Sequence, residues 1–158
     1  IPVINHIVSS DKKKFLIGGS QGVGKSTLVY VIKKNIQTFY NKRVLTLSLD
    51  DYYLSKKKRF SLSKKIHPLL STRGVPGTHN IKLLINHIKQ FNNSKYPINI
   101  PIFDKLIDDS LSKKRKEKLV KSLFACLVKI LGFTELAVCC TIFLFVYLLK
   151  FGMVEQNF

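Results

Sequence analysis

Residues 19–26 read Gly19-Ser20-Gln21-Gly22-Val23-Gly24-Lys25-Ser26 and match the pattern G-x-x-x-x-G-K-S in full. The match follows a short apolar run, Phe15-Leu16-Ile17, which predicts a buried strand. It precedes apolar residues at helical spacing from Lys25 to about Tyr40. Glycines let the backbone turn its N–H groups around phosphate oxygens, and the helix adds its free N–H groups and positive dipole end. The segment therefore predicts a loop that binds the phosphates of a nucleoside triphosphate.

The motif assigns separate roles to its last two residues. Lys25 places a mobile cation on the β- and γ-phosphates of ATP, and the Ser26 hydroxyl is a suitable ligand for Mg²⁺. The structural alternative is a glycine-rich turn with a chance G-K-S, which the strand–helix context argues against. The predicted nucleotide-binding residues are Gly19, Ser20, Gln21, Gly22, Val23, Gly24, Lys25, Ser26 and Thr27.

A second predicted strand, Val44 to Leu49, ends at two adjacent carboxylates, Asp50 and Asp51. In an open parallel sheet the carboxyl ends of the strands face the ligand crevice. A carboxylate at that place can accept a proton from a substrate hydroxyl during phosphoryl transfer. Asp50 and Asp51 are therefore predicted catalytic residues together with Lys25. The alternative is that the two acids only end the strand and cap a loop.

The segments that follow complete the prediction of the fold class. A polar, lysine-rich segment runs to about residue 72, and Asn80 to Phe91 has the apolar spacing of an amphipathic helix. Ile98 to Phe103 predicts a third strand, at an edge or irregular, because prolines stand at 97 and 101. Strand, loop, helix and strand at this spacing predict an α/β fold of the P-loop NTPase type, with a parallel sheet flanked by helices.

Three ordered segments of the chain resemble the D-glycerate 3-kinase family, which is similar in turn to phosphoribulokinase, uridine kinase and pantothenate kinase. The resemblance runs from about Lys14 to Asp109. Its segments are Asp50-Asp51-Tyr52-Tyr53-Leu54, Arg73-Gly74-Val75-Pro76-Gly77-Thr78-His79-Asn80 and Pro101-Ile102-Phe103-Asp104-Lys105. The resemblance implies a kinase that uses ATP and Mg²⁺ to phosphorylate a hydroxyl of glycerate.

The resemblance also implies roles for single residues. Asp50 is expected to activate the substrate hydroxyl or to help hold Mg²⁺, with Ser26 as the other metal ligand. Arg73 is expected to clamp the substrate carboxylate, since a guanidinium pairs with a carboxylate through two parallel hydrogen bonds. For His79 a structural role stays open. On physical grounds Thr78 is placed to cap the helix that begins near Asn80. The expected substrate-binding residues are Arg73, His79, Asp104 and Lys105.

The sequence departs from the family pattern in two places. Ser110 follows Asp108-Asp109 where the family has an arginine, and nothing in 119–158 matches the family strand that ends in Glu-Gly-Trp. The sheet is therefore expected to be incomplete. Two alternatives to a glycerate kinase stay open: a catalytically inactive or membrane-attached nucleotide-binding fragment, and a kinase for a nucleoside, pantothenate or a sugar phosphate.

The formal net charge of +18 does not by itself indicate a nucleic-acid partner. Only four of the 27 cationic residues are arginine, and the rest are lysine in a chain rich in Ile, Asn, Phe and Tyr. A/T-rich codons produce that mixture, and no zinc-finger spacing or RNA-binding aromatic motif is present. The three cysteines and the lack of a signal peptide predict a cytoplasmic protein. The first residue, Ile1, is not a usual translation start, so the sequence reads as an internal piece.

The composition changes sharply near residue 118. Residues 1–118 hold 24 basic and 7 acidic residues, whereas residues 119–158 hold three and two and are mostly apolar. We therefore predict a kinase-like core over 1–118 and a hydrophobic, helical tail over 119–158. The tail has three interpretations: a buried element, a membrane anchor through residues 130–149, or translation of an altered reading frame or unspliced intron. The 14 uncharged residues Leu136 to Leu149 are short for a bilayer span.

Overall fold

The computed structural model describes residues 2–20, 22–91, 97–117 and 123–129. Four α-helices and seven strands lie in these ranges, and two short 3₁₀ helices, Leu49–Tyr52 and Pro68–Ser71, join them. The helices are α1 (Pro2–Ser9), α2 (Lys25–Tyr40), α3 (Lys56–Lys65) and α4 (Ile81–Gln90). The strands are β1 (Lys14–Ile17), β2 (Arg43–Ser48), β3 (Ile98–Ile100), β4 (Phe103–Asp104), β5 (Asp109–Ser110), β6 (Arg115–Glu117) and β7 (Leu123–Lys129).

A three-stranded parallel sheet has the order β1-β7-β2. Ile17 at the end of β1 and Ser48 at the end of β2 both pair with Lys129 of β7. The chain therefore leaves β1 and β2 at the same edge of the sheet, roughly 10 Å apart across β7. This register brings the loop after β1 and the acids after β2 to one crevice.

The central position of β7 corrects one expectation. We expected a hydrophobic, helical tail over 119–158, yet Leu123–Lys129 is a strand that lies between the other two parallel strands. A parallel strand that is covered on both faces has a continuous apolar sequence. Because residues 119–158 are mostly apolar, composition did not distinguish this strand from the rest of the tail. Leu127 of β7 is fully buried.

The predicted strand from Ile98 to Phe103 is irregular, as its prolines indicated, but it does not join the parallel sheet. The segment forms two short strands, and each pairs antiparallel outside the three-stranded sheet: β3 with β6, and β4 with β5. Pro101 interrupts the segment because proline has no N–H group to donate to a ladder. The result is a bent hairpin whose turn, residues 105–108, follows β4 directly.

Two apolar layers cover the sheet, as the predicted α/β class requires. Leu45 and Leu47 of β2 pack with α4 and β3, whereas Val44 of the same strand packs with α1 and α2. Alternate residues of a strand point to opposite faces, so β2 contributes to both layers. Helices thus flank the parallel sheet on both sides, which confirms this part of the predicted fold class.

The predicted hydrophobic tail and the proposed membrane segment at 130–149 lie outside the described residues, apart from β7. Within the described ranges, no helix is long and apolar enough to cross a bilayer.

Candidate active site

The phosphate loop has the backbone conformation that its glycines permit. Gly22 and Gly24 have φ angles of 82° and 83°, in the left-handed region that side chains with a Cβ rarely adopt. Gly24 is the N-cap residue of α2, and no side chain caps that helix end. The N–H groups in the first turn of a helix carry partial positive charge, so this end of α2 favours a phosphate.

Lys25 lies across this loop. Its side chain is only 8% exposed, and its ammonium group donates to the carbonyl oxygens of Gly19, at 2.6 Å, and Ser20. A Cβ built on Gly19 would lie 3.1 Å from Cγ1 of Val23, closer than an ordinary van der Waals contact, and in ordinary contact with the Lys25 stem at 3.6 Å. Ser26 and Thr27 are exposed in the first turn of α2, and Gln21 lies outside the described residues.

Asp50 lies in the 3₁₀ helix that follows β2, at the same sheet edge as the loop. Its Oδ2 atom accepts a hydrogen bond from Lys105 Nζ at 2.9 Å, across 55 residues of sequence. Its Oδ1 atom is buried and has no hydrogen-bond partner among the described residues. Asp51 is half-buried in the same 3₁₀ helix. The structure thus places one predicted catalytic carboxylate against one predicted substrate-binding cation.

His79 lies close to this pair. Its ring stacks on Tyr53 with 4.1 Å between the centroids, and Tyr53 in turn lies 5.0 Å from Phe103. His79 is 9% exposed, and within the described part of the chain neither ring nitrogen has a hydrogen-bond partner. Burial lowers the pKa of His79 to about 4, although the nearby Asp50 carboxylate partly opposes this shift. The imidazole is therefore neutral at pH 7.

Because the His79 imidazole is buried and neutral, we expect the folded protein to lose stability in mild acid. The unfolded chain binds the His79 proton with a pKa near 6.5 and the folded protein with a pKa of about 4. The stability present above pH 6.5 is therefore lost as the pH falls towards 4, by about 2–3 kcal/mol between about pH 7 and 4.5. The free energy of unfolding is measured with urea at both pH values, for the wild type and for His79→Phe. An equal loss in both proteins would remove His79 as the cause.

Arg73 and Asp104 lie near the pair, and their hydrogen bonds go to residues other than Asp50. Arg73 Nη1 donates to Asp108 Oδ1 at 2.9 Å and to the Lys105 carbonyl at 3.0 Å. Arg73 therefore binds a carboxylate of the chain itself and links two of the segments that carry the family resemblance. Asp104 Oδ1 accepts from the Leu106 N–H at 2.8 Å, which tightens the start of the hairpin turn.

Arg59 and Asp108 are parts of this region that the sequence analysis did not select. Arg59 has no exposed surface, and its Nη2 atom lies 2.8 Å from Asp108 Oδ2. The hydrogen bond from Arg59, with a further one from Arg73, holds the pKa of Asp108 below its usual range. The available signal was the use of arginine: Arg59 is one of four in a chain whose other cations are lysine.

The prediction for Thr78 is wrong, because Asn80 caps α4. The Asn80 side chain accepts from the Leu83 N–H at 3.2 Å, whereas the fully buried Thr78 hydroxyl donates to the Val75 carbonyl at 2.6 Å. Asparagine is as good an N-cap as threonine, and it stands directly before the helix. Thr78 instead stabilises the turn through Gly74 and Gly77, both with left-handed φ angles.

The oxygen donors at this edge fit Mg²⁺ in the way nucleotide-dependent enzymes use it. Mg²⁺ takes one or two protein oxygens and fills its other positions with water and phosphate oxygens. The buried Oδ1 atom of Asp50, without a partner among the described residues, is one such oxygen, and the exposed Ser26 hydroxyl is the other. The described ranges hold no group of three His, Cys, Asp or Glu residues that would bind a metal alone.

The site has a glycine-rich loop between a parallel strand and a helix, a buried lysine in that loop, and an acid at the end of the second strand. These features define the P-loop nucleotide-binding class. Three curated relatives are kinases. The chain is 37% identical over 98 residues to the uncharacterized kinase mug58 of Schizosaccharomyces pombe, covering 59% of this chain and 35% of the relative. It is 37% identical over 98 residues to the probable ATP-dependent kinase TDA10 of Saccharomyces cerevisiae, covering 55% and 33%. It is 36% identical over 83 residues to the chloroplastic D-glycerate 3-kinase of Arabidopsis thaliana, covering 50% and 18%.

Solved structures agree with these relatives. A D-glycerate 3-kinase from Cryptococcus neoformans superposes with a TM-score of 0.62 at 26% identity, over 80% of this chain and 47% of that one. A protein described as a possible uridine kinase from Bacillus stearothermophilus, 16% identical with a TM-score of 0.59, covers 84% and 69% and shares the fold. No family model matches the chain. The predicted resemblance to D-glycerate 3-kinases is confirmed, and the chain spans about a third or less of the curated relatives' length.

Proposed function

We propose that this chain binds Mg-ATP at the phosphate loop and transfers the γ-phosphoryl group to a hydroxyl of D-glycerate. The observation that carries the proposal is the contact between Asp50 Oδ2 and Lys105 Nζ at the sheet edge that also carries the loop. This contact brings together a carboxylate that can accept a proton and a cation that can bind an anionic substrate. The relatives named as kinases, one of them a D-glycerate 3-kinase, support the same activity.

In the proposed reaction a substrate hydroxyl oxygen attacks the γ-phosphorus of ATP. A bond forms between them, the bond from the γ-phosphorus to the β–γ bridging oxygen breaks, and ADP leaves with that electron pair. The hydroxyl proton passes to the Asp50 carboxylate and from there to water. Lys25 stabilises the charge on the β- and γ-phosphates. Ser26 and the Oδ1 atom of Asp50 would hold Mg²⁺, which would supply positive charge to the transferring phosphates.

The charges around Asp50 support a small hydroxy acid as the substrate. Lys105 is 59% exposed and Arg73 39% exposed, so both cations remain accessible at the sheet edge while they contact Asp50 and Asp108. The neutral His79 ring adds a hydrogen-bonding group without adding a charge. An anion with a hydroxyl close to its carboxylate can use all three, whereas an uncharged nucleoside leaves the cations unused. The cytoplasm, which supplies ATP and keeps cysteines reduced, is the compartment we propose.

A substrate comparison tests the proposal. ADP release by the chain is measured with ATP and Mg²⁺ in the presence of D-glycerate, uridine, pantothenate or a sugar phosphate, and without any acceptor. We expect D-glycerate to raise the rate at least about tenfold over the acceptor-free rate, because transfer needs the positioned hydroxyl. A higher rate with any of the other acceptors would assign the site to that substrate. An equal rate without an acceptor would indicate an ATPase.

A further inference from the structure

The turn that carries Lys105 has little packing of its own. Residues 105–108 connect β4 to β5, and each of these strands has only two residues. At the tip of the turn, Leu106 is 96% exposed and Ile107 is mostly exposed, so the apolar side chains do not anchor it. Yet the Lys105 ammonium lies at hydrogen-bond distance from Asp50. Polar contacts must therefore hold the turn.

Those contacts come from two guanidinium groups that share the Asp108 carboxylate. Arg59 Nη2 donates to Asp108 Oδ2 at 2.8 Å and to the Asp108 carbonyl at 2.6 Å. Arg73 Nη1 donates to Asp108 Oδ1 at 2.9 Å and to the Lys105 carbonyl at 3.0 Å. The first and the last residue of the turn are both bound in this way. Asp108 has a φ angle of 55°, a left-handed conformation that such contacts stabilise.

Arg59 is itself fixed by the surrounding structure. Its Nε atom donates to the Leu54 carbonyl at 3.2 Å and its Nη1 atom to the Ser71 carbonyl at 3.3 Å. Its guanidinium carbon lies 5.8 Å from the centroid of the Phe103 ring. All three nitrogens of this buried group are thus hydrogen-bonded, and the fork geometry that satisfies them is available to arginine and not to lysine.

We infer that Arg59, acting through Asp108, is a positioning residue that holds the Lys105 ammonium against Asp50. Arg73 contributes the second hold on the same carboxylate. The importance of this arrangement for catalysis rests on the proposed function, whereas the arrangement itself does not. A first experiment therefore reads the Asp50–Lys105 contact without any enzymatic assay, and a second reads turnover.

The first experiment is zero-length cross-linking with a water-soluble carbodiimide, which joins a carboxylate and an amine only when they are in contact. Mass spectrometry measures the yield of the Asp50–Lys105 amide. We expect Asp108→Asn and Arg59→Lys each to lower the yield about fivefold or more. The first removes the carboxylate charge that both guanidinium groups bind, and the second removes the guanidinium fork that binds Asp108. Asp109→Asn is the matched control. Its Oδ1 atom accepts from the N–H groups of Lys56 and Ser110, and asparagine retains that acceptor. An unchanged yield in Asp108→Asn would overturn the inference.

The second experiment uses turnover to test whether Asp108 acts through Lys105. We expect Asp108→Asn to lower kcat about tenfold with the KM for ATP nearly unchanged, and to add no further loss to a Lys105→Ala variant. Losses that multiply in the double variant would show that Asp108 does not act through Lys105 and would also overturn the inference. If the wild type shows no transfer to any acceptor, the proposed function fails, while the cross-linking yield still decides the role of Arg59.

Discussion

Asp50→Asn is expected to lower kcat for glycerate phosphorylation about 100-fold, a typical contribution of a positioned proton acceptor. Asparagine keeps the size of the side chain but loses the charge that pairs with Lys105 at 2.9 Å and accepts the hydroxyl proton. Because Lys25 and the loop remain intact and the asparagine Oδ1 atom can still serve as an oxygen ligand for Mg²⁺, calorimetric titration should show ATP affinity within about twofold of the wild type.

The control for this substitution is Asp11→Asn, which makes the same chemical change at an exposed acid before β1. Its kcat should match the wild type. A normal kcat in Asp50→Asn would remove Asp50 from the transfer step. A loss of ATP affinity equal to the loss of kcat would assign Asp50 to ATP binding.

Lys25→Ala is expected to weaken ATP binding at least about tenfold, or about 1.4 kcal/mol. The ammonium group already lies at the mouth of the loop, where it donates to the Gly19 and Ser20 carbonyl oxygens. Calorimetric titration with Mg-ATP measures the change.

Lys34→Ala is the matched control, since it removes an exposed lysine from the same helix, α2. Circular dichroism checks that both variants fold, and ATP affinity should fall only in Lys25→Ala. Equal affinity in a folded Lys25→Ala protein would contradict nucleotide binding through this loop.

The local elements around the phosphate loop could be predicted because each has a strong short-range pattern. The helix predicted from Lys25 to about Tyr40 is α2, with those bounds, and the predicted helix from Asn80 to Phe91 contains α4. Apolar spacing with a period near 3.6 residues is visible in a single segment. A glycine motif that directly precedes such a helix also marks its first turn.

β7 could not be predicted because its place in the sheet depends on residues distant in sequence. Leu123–Lys129 pairs with Lys14–Ile17 and with Arg43–Ser48, more than 70 residues away in each case. A short apolar run reads equally well as a buried strand or as part of a hydrophobic tail. Composition favoured the tail, and only the pairing distinguishes the two.

The residues around Asp50 also divide into those that the sequence could predict and those that it could not. The family resemblance selected both Asp50 and Lys105, and the structure places them in contact. Arg59 lies within the lysine-rich segment, which has no apolar periodicity, so its only mark in the sequence is that it is one of four arginines. Its role depends on contacts with Leu54, Ser71 and Asp108, which only the folded chain brings together.

Phosphorus-31 NMR of the chain incubated with ATP, Mg²⁺ and D-glycerate tests the proposed phosphoryl transfer most directly. We expect the γ-phosphate signal of ATP to decrease while signals of ADP and of one phosphate monoester appear together. The monoester signal should require D-glycerate and should be absent with Asp50→Asn on the same time scale. Phosphoryl transfer to D-glycerate would be ruled out by loss of ATP with inorganic phosphate and ADP as the sole products, or by an unchanged spectrum from a folded chain that binds ATP.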